Sequence, residues 1–191
     1  MSTGGAVRRV VLFSGHMIDA PDRSSPRFPP ALEPKVGRAL LDVVDRLGAG
    51  PSDTGISSGA CGGDILFAEA VLARGVPLRL YLPFDEPTFL EKSVRFAGDR
   101  WVDRYRAVAA RSQPFLAPAI LGPLPEGADP YERTNLWMLD EARRIAGPNL
   151  VFVCLWNGEG GDGPGGTRHM MDAVRSQPGG QVTWIDIRRL Y

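Results

Sequence analysis

The 191-residue sequence predicts an α/β fold, a Rossmann-like three-layer sandwich built on a mostly parallel sheet of about six strands. Three observations predict it. Short apolar, β-branched runs alternate with amphipathic helical segments along the chain. The most apolar run, Leu150–Trp156, shows no polar alternation, as a parallel strand covered on both faces requires. Three strand ends break directly into turns rich in small residues, SGHMID, SGACGGD and NGEGGDGPGGT. With 43% apolar residues the chain can bury a substantial core, and it reads as one domain over residues 1–191.

The elements follow in order. Residues 7–13 form a buried first strand that ends at Ser14 and Gly15. The stretch from His16 to Pro34 carries Pro21, Pro26, Pro29 and Pro30 and few apolar anchors, so it is a long loop of the kind that serves a ligand. Val36, Ala39, Leu40, Val43, Val44 and Leu47 recur at helical spacing, which predicts a helix over 34–47 stopped by Gly48. A second strand at 54–58 runs into the glycine turn and then a helix over 65–74, closed by Gly75. A third strand spans 76–82. Residues 83–98 mix turn residues with a short helix. Asp99 then caps a helix reaching about Ala110, and 113–117 is a fourth strand. Asp129, Pro130 and Glu132 make a strong helix start, and that helix stops at Gly147 and Pro148. Leu150–Trp156 is the fifth strand, Thr167 opens a short helix, and 182–187 is the last strand.

Charge and cysteine usage exclude several classes of function. The 22 basic and 22 acidic residues cancel, so no global field draws nucleic acid or an anionic membrane to the chain. All the basic residues except Lys35 and Lys92 are Arg, which suits phosphate pairing but equally reflects a biased composition. Cys61 and Cys154 are too few for a disulfide framework or a zinc cluster, and a reducing cytoplasm fits them. No apolar stretch approaches the ~18 residues needed to span a bilayer. Neither GxxxxGK[ST] nor a GxGxxG after the first strand occurs, which weighs against P-loop NTPases and ordinary NAD dehydrogenases. No metal and no other cofactor is called for by the two histidines, His16 and His169.

In an open α/β sheet, ligands sit beyond the carboxyl ends of the strands, where all three small-residue turns lie. Glycines let backbone N–H groups approach a phosphate, and a following helix N-terminus adds partial positive charge. Gly59, Gly62 and Gly63 are so placed, although tight turns use glycine for geometry alone and Asp64 could cap the same N–H groups. Glu69, Glu159 and His169 are candidates for acid–base or glycosidic chemistry, each otherwise a solvated or capping group. Trp137 and Trp156 read as core residues, with base stacking as the alternative for Trp137. Cys61, though at a helix N-terminus, reads as a small loop residue.

The order VVLFSGHMID, TGISSGACGGDILFAEA and VPLRLYLP resembles the opening of DprA/Smf and LOG-type proteins, the SLOG superfamily. The second half, YERTNLWMLDEA, LVFVCLWNGEGGDGPGGTRHMMDAV and VTWID, is similar to the DprA half of that pattern, so the resemblance covers nearly the whole chain. It implies a nucleotide or nucleotide-derived ligand between the loops. Ser14, Gly15 and His16 would form one wall, and Ser58, Gly59, Gly62, Gly63 and Asp64 the phosphate or ribose cradle. Gly165, Gly166 and Thr167 would form the opposite wall, with Arg133 and Asn135 matching an Arg-Asn pair. LOG phosphoribohydrolases carry PGGxGTxxE; this chain reads PGGTRHMMD, with no Glu three residues after Thr167. That departure favours a ligand-sensing domain, working through a homodimer or an effector partner, over an enzyme acting on N-glycosidic bonds of nucleotides. A DprA-like single-strand DNA binder is disfavoured by the zero net charge.

Overall fold

The computed structural model describes residues 9–160 and 163–191. Six strands form one wholly parallel sheet: β1 (Val10–Gly15), β2 (Thr54–Ser57), β3 (Leu78–Leu82), β4 (Gln113–Leu116), β5 (Leu150–Trp156) and β6 (Gln181–Asp186). The expected α/β architecture is thus present. Residues 7 and 8 of the predicted first strand lie outside the described residues.

Helices cover both faces. Because successive side chains of a strand point to opposite faces, β1 splits its residues between two cores. Val11 and Phe13 pack with α1 (Glu33–Arg46), α2 (Gly63–Ala73) and α4 (Asp99–Ala109), through Val36, Leu40, Ile65, Phe67 and Tyr105. Val10 and Leu12 pack with α6 (Pro130–Ala146) and α7 (Thr167–Arg175), through Met138, Leu139, Ala142 and Met170. β5 divides the same way, and all seven of its residues are buried. This is why the unbroken apolar run was so legible.

Some boundaries depart from expectation, while the short helix expected within 83–98 is present. The capping residue of α4 is Gly98 at φ +99°, with no side-chain cap, rather than Asp99. The short helix within 83–98 is α3 (Glu86–Ser93), whose N-cap Asp85 accepts from the Thr88 N–H at 2.9 Å. A four-residue helix, α5 (Ala117–Ile120), follows β4 where the sequence suggested strand and loop. The expected cap of α6 is present, with Asp129 accepting from the Glu132 N–H at 2.7 Å. No helix among the described residues is long and apolar enough to cross a membrane.

The strand order β4-β3-β2-β1-β5-β6 creates a switch point between β1 and β5. The chain builds outward from β1 to β4, then crosses to the other side of β1. Loops leaving neighbouring strands on either side of such a point diverge and leave a crevice beyond the carboxyl ends.

Candidate functional site

The loop after β1 and the glycine turn after β2 are bound to each other. Met17 forms an antiparallel bridge with Gly62, the Ile18 N–H donates to the Cys61 carbonyl at 3.1 Å, and the Gly63 N–H donates to the His16 carbonyl at 3.1 Å. Gly62 has φ +103°, and a methyl placed on it would collide with the Ile18 nitrogen and lie 2.9 Å from the Met17 carbonyl carbon. The Cys61 N–H is taken by the Ser93 carbonyl and the Ile65 N–H by that of Ala60. Glycine is therefore needed here to admit the 16–18 segment, and the Cys61, Gly63 and Ile65 amides already have partners. Gly59 faces Leu80 and Tyr105 in the core.

Beside this junction opens a cleft of about 240 Å³. Ser14 and Gly15 from the end of β1, Ser58 and Asp64 from the β2 turn, and Asn135 from α6 supply its polar and small side. Met17, Ala60, Phe89 and Tyr131 supply its apolar side. Five of the residues expected from the sequence thus meet in one place; Met17, Phe89 and Tyr131 were not foreseen. A larger hollow of about 600 Å³ lies at the amino ends of β2, β3 and β4, away from the crevice. Its Asp53 is bound to Arg9 and its Arg111 to the Leu72 carbonyl.

Asp64 is the charged residue of the cleft. It is only 4% exposed, and burial pushes its carboxyl up from 3.8 to about 6, against the pull of its hydrogen bonds. Oδ1 accepts from Ser57 Oγ at 3.0 Å and from the Ser58 N–H and Oγ, both at 3.3 Å. The carboxylate therefore fastens the end of β2 instead of capping α2, which has no side-chain cap. Burial also pushes the Cys61 thiol up to about 12, so its place at a helix start does not activate it.

His16 lies at the switch point. Its Nε2 accepts from the Asn157 N–H at 3.1 Å, and burial holds the imidazole below its ordinary value. An accepting Nε2 leaves the proton on Nδ1; when ionised, Nε2 instead donates to Asn157 Oδ1, also at 3.1 Å. The histidine thus pins the loop after β5 to the loop after β1.

The remaining expected residues stand behind the cleft or away from it. Asn135 Nδ2 donates to the Gly165 carbonyl at 3.0 Å, and His169 Nδ1 accepts from the Gly165 N–H at 2.9 Å. Gly165, at φ +70°, lies so close to α6 that a methyl would stand 2.7 Å from the Glu132 carbonyl oxygen. Gly166 caps α7 and Thr167 begins it. This turn supports Asn135 from behind. Residues 161 and 162 of the same loop lie outside the described residues. Arg133 turns away, donating to the carbonyls of Leu121, Gly122 and Pro123 after α5. Glu69 is gripped by Arg104, which also binds Glu33, on the far face of α2. Glu159 borders a separate hollow of about 440 Å³ with Arg23, Arg27 and Asn157. Trp137 packs edge-on against Tyr81 at 4.6 Å, and Trp156 Nε1–H donates to the Glu159 carbonyl.

Because three carbonyls depend on one guanidinium, Arg133→Ala should lower stability by about 1–3 kcal/mol in a urea melt. Ligand affinity and its salt dependence should stay as in the parent; a weaker salt dependence would put a ligand phosphate on Arg133 instead.

Among the described residues there is no cluster of three or more potential metal ligands. Compared with known proteins, the chain matches no family model and no curated relative.

Proposed function

We propose that this protein is a nucleotide-sensing domain of the SLOG kind, which takes a nucleotide or nucleotide-derived ligand in the cleft at the carboxyl ends of β1 and β2. The observation that carries the reading is the composition of that cleft. It is apolar on one side, with a few convergent polar groups on the other and one buried carboxylate far from its ordinary pKa, at the carboxyl ends of β1 and β2 in an open parallel sheet. A sensing role suits the absence of the LOG glutamate, and neither Glu69 nor Glu159 lines the cleft to replace it. The domain would work in the cytoplasm, with a homodimer or effector partner reading the bound state.

A thermal-shift screen of nucleosides and nucleoside monophosphates tests this. A specific ligand at one hundred times its Kd should stabilise the protein by about 2.7 kcal/mol, and Asn135→Ala should remove most of that gain. If no member of the panel raises the melting temperature, the reading is wrong.

A further inference from the structure

We propose that the cleft holds a nucleobase, flat between Met17 and Tyr131, and selects bases whose edge offers an N–H donor to Asp64. The proposal rests on the nucleotide reading and goes beyond it, because it says which end of the ligand enters.

Size decides first. At about 240 Å³ the cleft is smaller than the ~300–1,000 Å³ usual for a whole small-molecule ligand, so it encloses one part of a nucleotide. Charge decides which part. Among the described residues no Lys or Arg lines it, its one charge is a carboxylate, and the Gly59, Cys61, Gly63 and Ile65 amides of the glycine turn are already engaged. A phosphate offers only acceptors and negative charge, so it would be repelled there.

The apolar side suits a planar ring. Met17 is 38% exposed and Tyr131 39%, two of the few large apolar side chains left open, and they come from different elements to the same cleft. Single exposed apolar residues are ordinary, but two bordering one cleft backed by Phe89 form a slot. Tyr131 is a fixed platform: its hydroxyl pairs with Ser93 Oγ at 3.2 Å, and its ring stands edge-on to Phe84 at 5.6 Å. Methionine adapts to a ring face and its sulfur favours aromatic contact.

The polar side asks for donors. Asp64 Oδ1 accepts from Ser57 Oγ and from the Ser58 N–H and Oγ, and the Gly59 N–H also acts on the carboxylate; none of the Ser57 and Ser58 bonds uses Oδ2, which leaves it as an acceptor. Asn135 gives one Nδ2–H to the Gly165 carbonyl, which fixes the amide and leaves its carbonyl oxygen as a second acceptor. The hydroxyl of Ser58 already donates to Asp64, so lone pairs are what it has left. An amino group or ring N–H on a base edge satisfies such a set.

The test is calorimetric titration with adenosine, guanosine and purine riboside, the last being a purine without any N–H donor on its base. Adenosine or guanosine should bind about 10- to 100-fold more tightly than purine riboside, the effect of one buried acceptor gaining or losing its donor. In Asp64→Asn the carboxamide oxygen keeps the Ser57 and Ser58 bonds and its NH₂ faces the cleft, so that ratio should fall to one or below. Tyr131→Ala, checked for folding by circular dichroism, should weaken all three nucleosides together and keep the ratio. Equal binding of the three by the parent, or an unchanged ratio in Asp64→Asn, overturns the base assignment and leaves the nucleotide reading standing. Failure of every nucleoside and nucleoside monophosphate to bind removes both.

Discussion

Gly62→Val should leave the protein largely unfolded, or at best less stable by about 2–6 kcal/mol. Two costs combine. A β-branched residue at φ +103° is strained by about 1–3 kcal/mol, and overpacking against immovable atoms adds a similar amount. The atoms met are backbone atoms of His16, Met17 and Ile18, which cannot rotate aside as a side chain would. Moving them breaks the Ile18-to-Cys61 and Gly63-to-His16 hydrogen bonds and removes Met17 from the cleft. Gly62→Ala should lie between this variant and the parent in a urea melt. Nucleoside affinity should fall in step with stability, because the loop carries both. A variant as stable as the parent that has merely lost its ligand would instead restore the glycine turn as a phosphate cradle.

That difference shows how far the sequence could lead. The turn SGACGGD is visible as a place, since strand, glycines and helix are consecutive in the chain. What fills the space at Gly62 is a segment some 45 residues earlier, brought there by the pairing of β1 with β2, and no local pattern records it. The proline-rich loop is similar. Its order comes from Asp19, whose carboxylate accepts from the Arg27 and Phe28 N–H groups and pairs with Arg23, contacts four to nine residues apart with no periodicity. Strands β1 and β5 were legible because burial on both faces demands an apolar residue at every position, a constraint written residue by residue. Ser14, Gly15, Ser58 and Asp64, expected from the resemblance, sit where strands end or a helix opens and so were also marked by position, whereas Asn135 was expected from the resemblance alone. Met17 and Tyr131 carry no such mark; an exposed aromatic in a helix's first turn reads as surface until the opposite lip is seen. Arg133 was expected at a ligand from the resemblance alone; its true partners follow α5, a four-residue helix containing Pro118 that gives no periodic signal.

Removing the charge at Asp64 should reshape the stability profile between pH 4 and 6. The carboxyl moves from 3.8 when unfolded to about 6 when folded, so the folded state holds its proton more tightly. Stability from this group is complete below pH 4 and is lost as pH rises towards 6, a change of roughly 3 kcal/mol by linkage. Other carboxyls run the opposite way. Arg74 holds Asp45 below its ordinary value, and hydrogen bonds from Arg9 and backbone amides outweigh burial to do the same for Asp53. These add stability as pH rises from lower values, so the parent's own curve mixes both signs. The difference between the parent and Asp64→Asn isolates the one residue: in urea melts the asparagine variant should gain on the parent by roughly 3 kcal/mol from pH 4 to pH 7, then run parallel to it. The groups facing Asp64 do not confuse this window, since the Cys61 thiol is pushed to about 12 and the cleft holds no other carboxyl, histidine or cation among the described residues. A donor-bearing nucleoside favours the ionised carboxylate, so saturation should draw the Asp64 midpoint, followed by carboxyl carbon NMR, down from about 6. By the same linkage, such a nucleoside binds more tightly above that pH than below it. A difference curve that stays flat across pH 4 to 6 would mean that Asp64 titrates as an ordinary surface aspartate, and the cleft would lose its strongest sign of function.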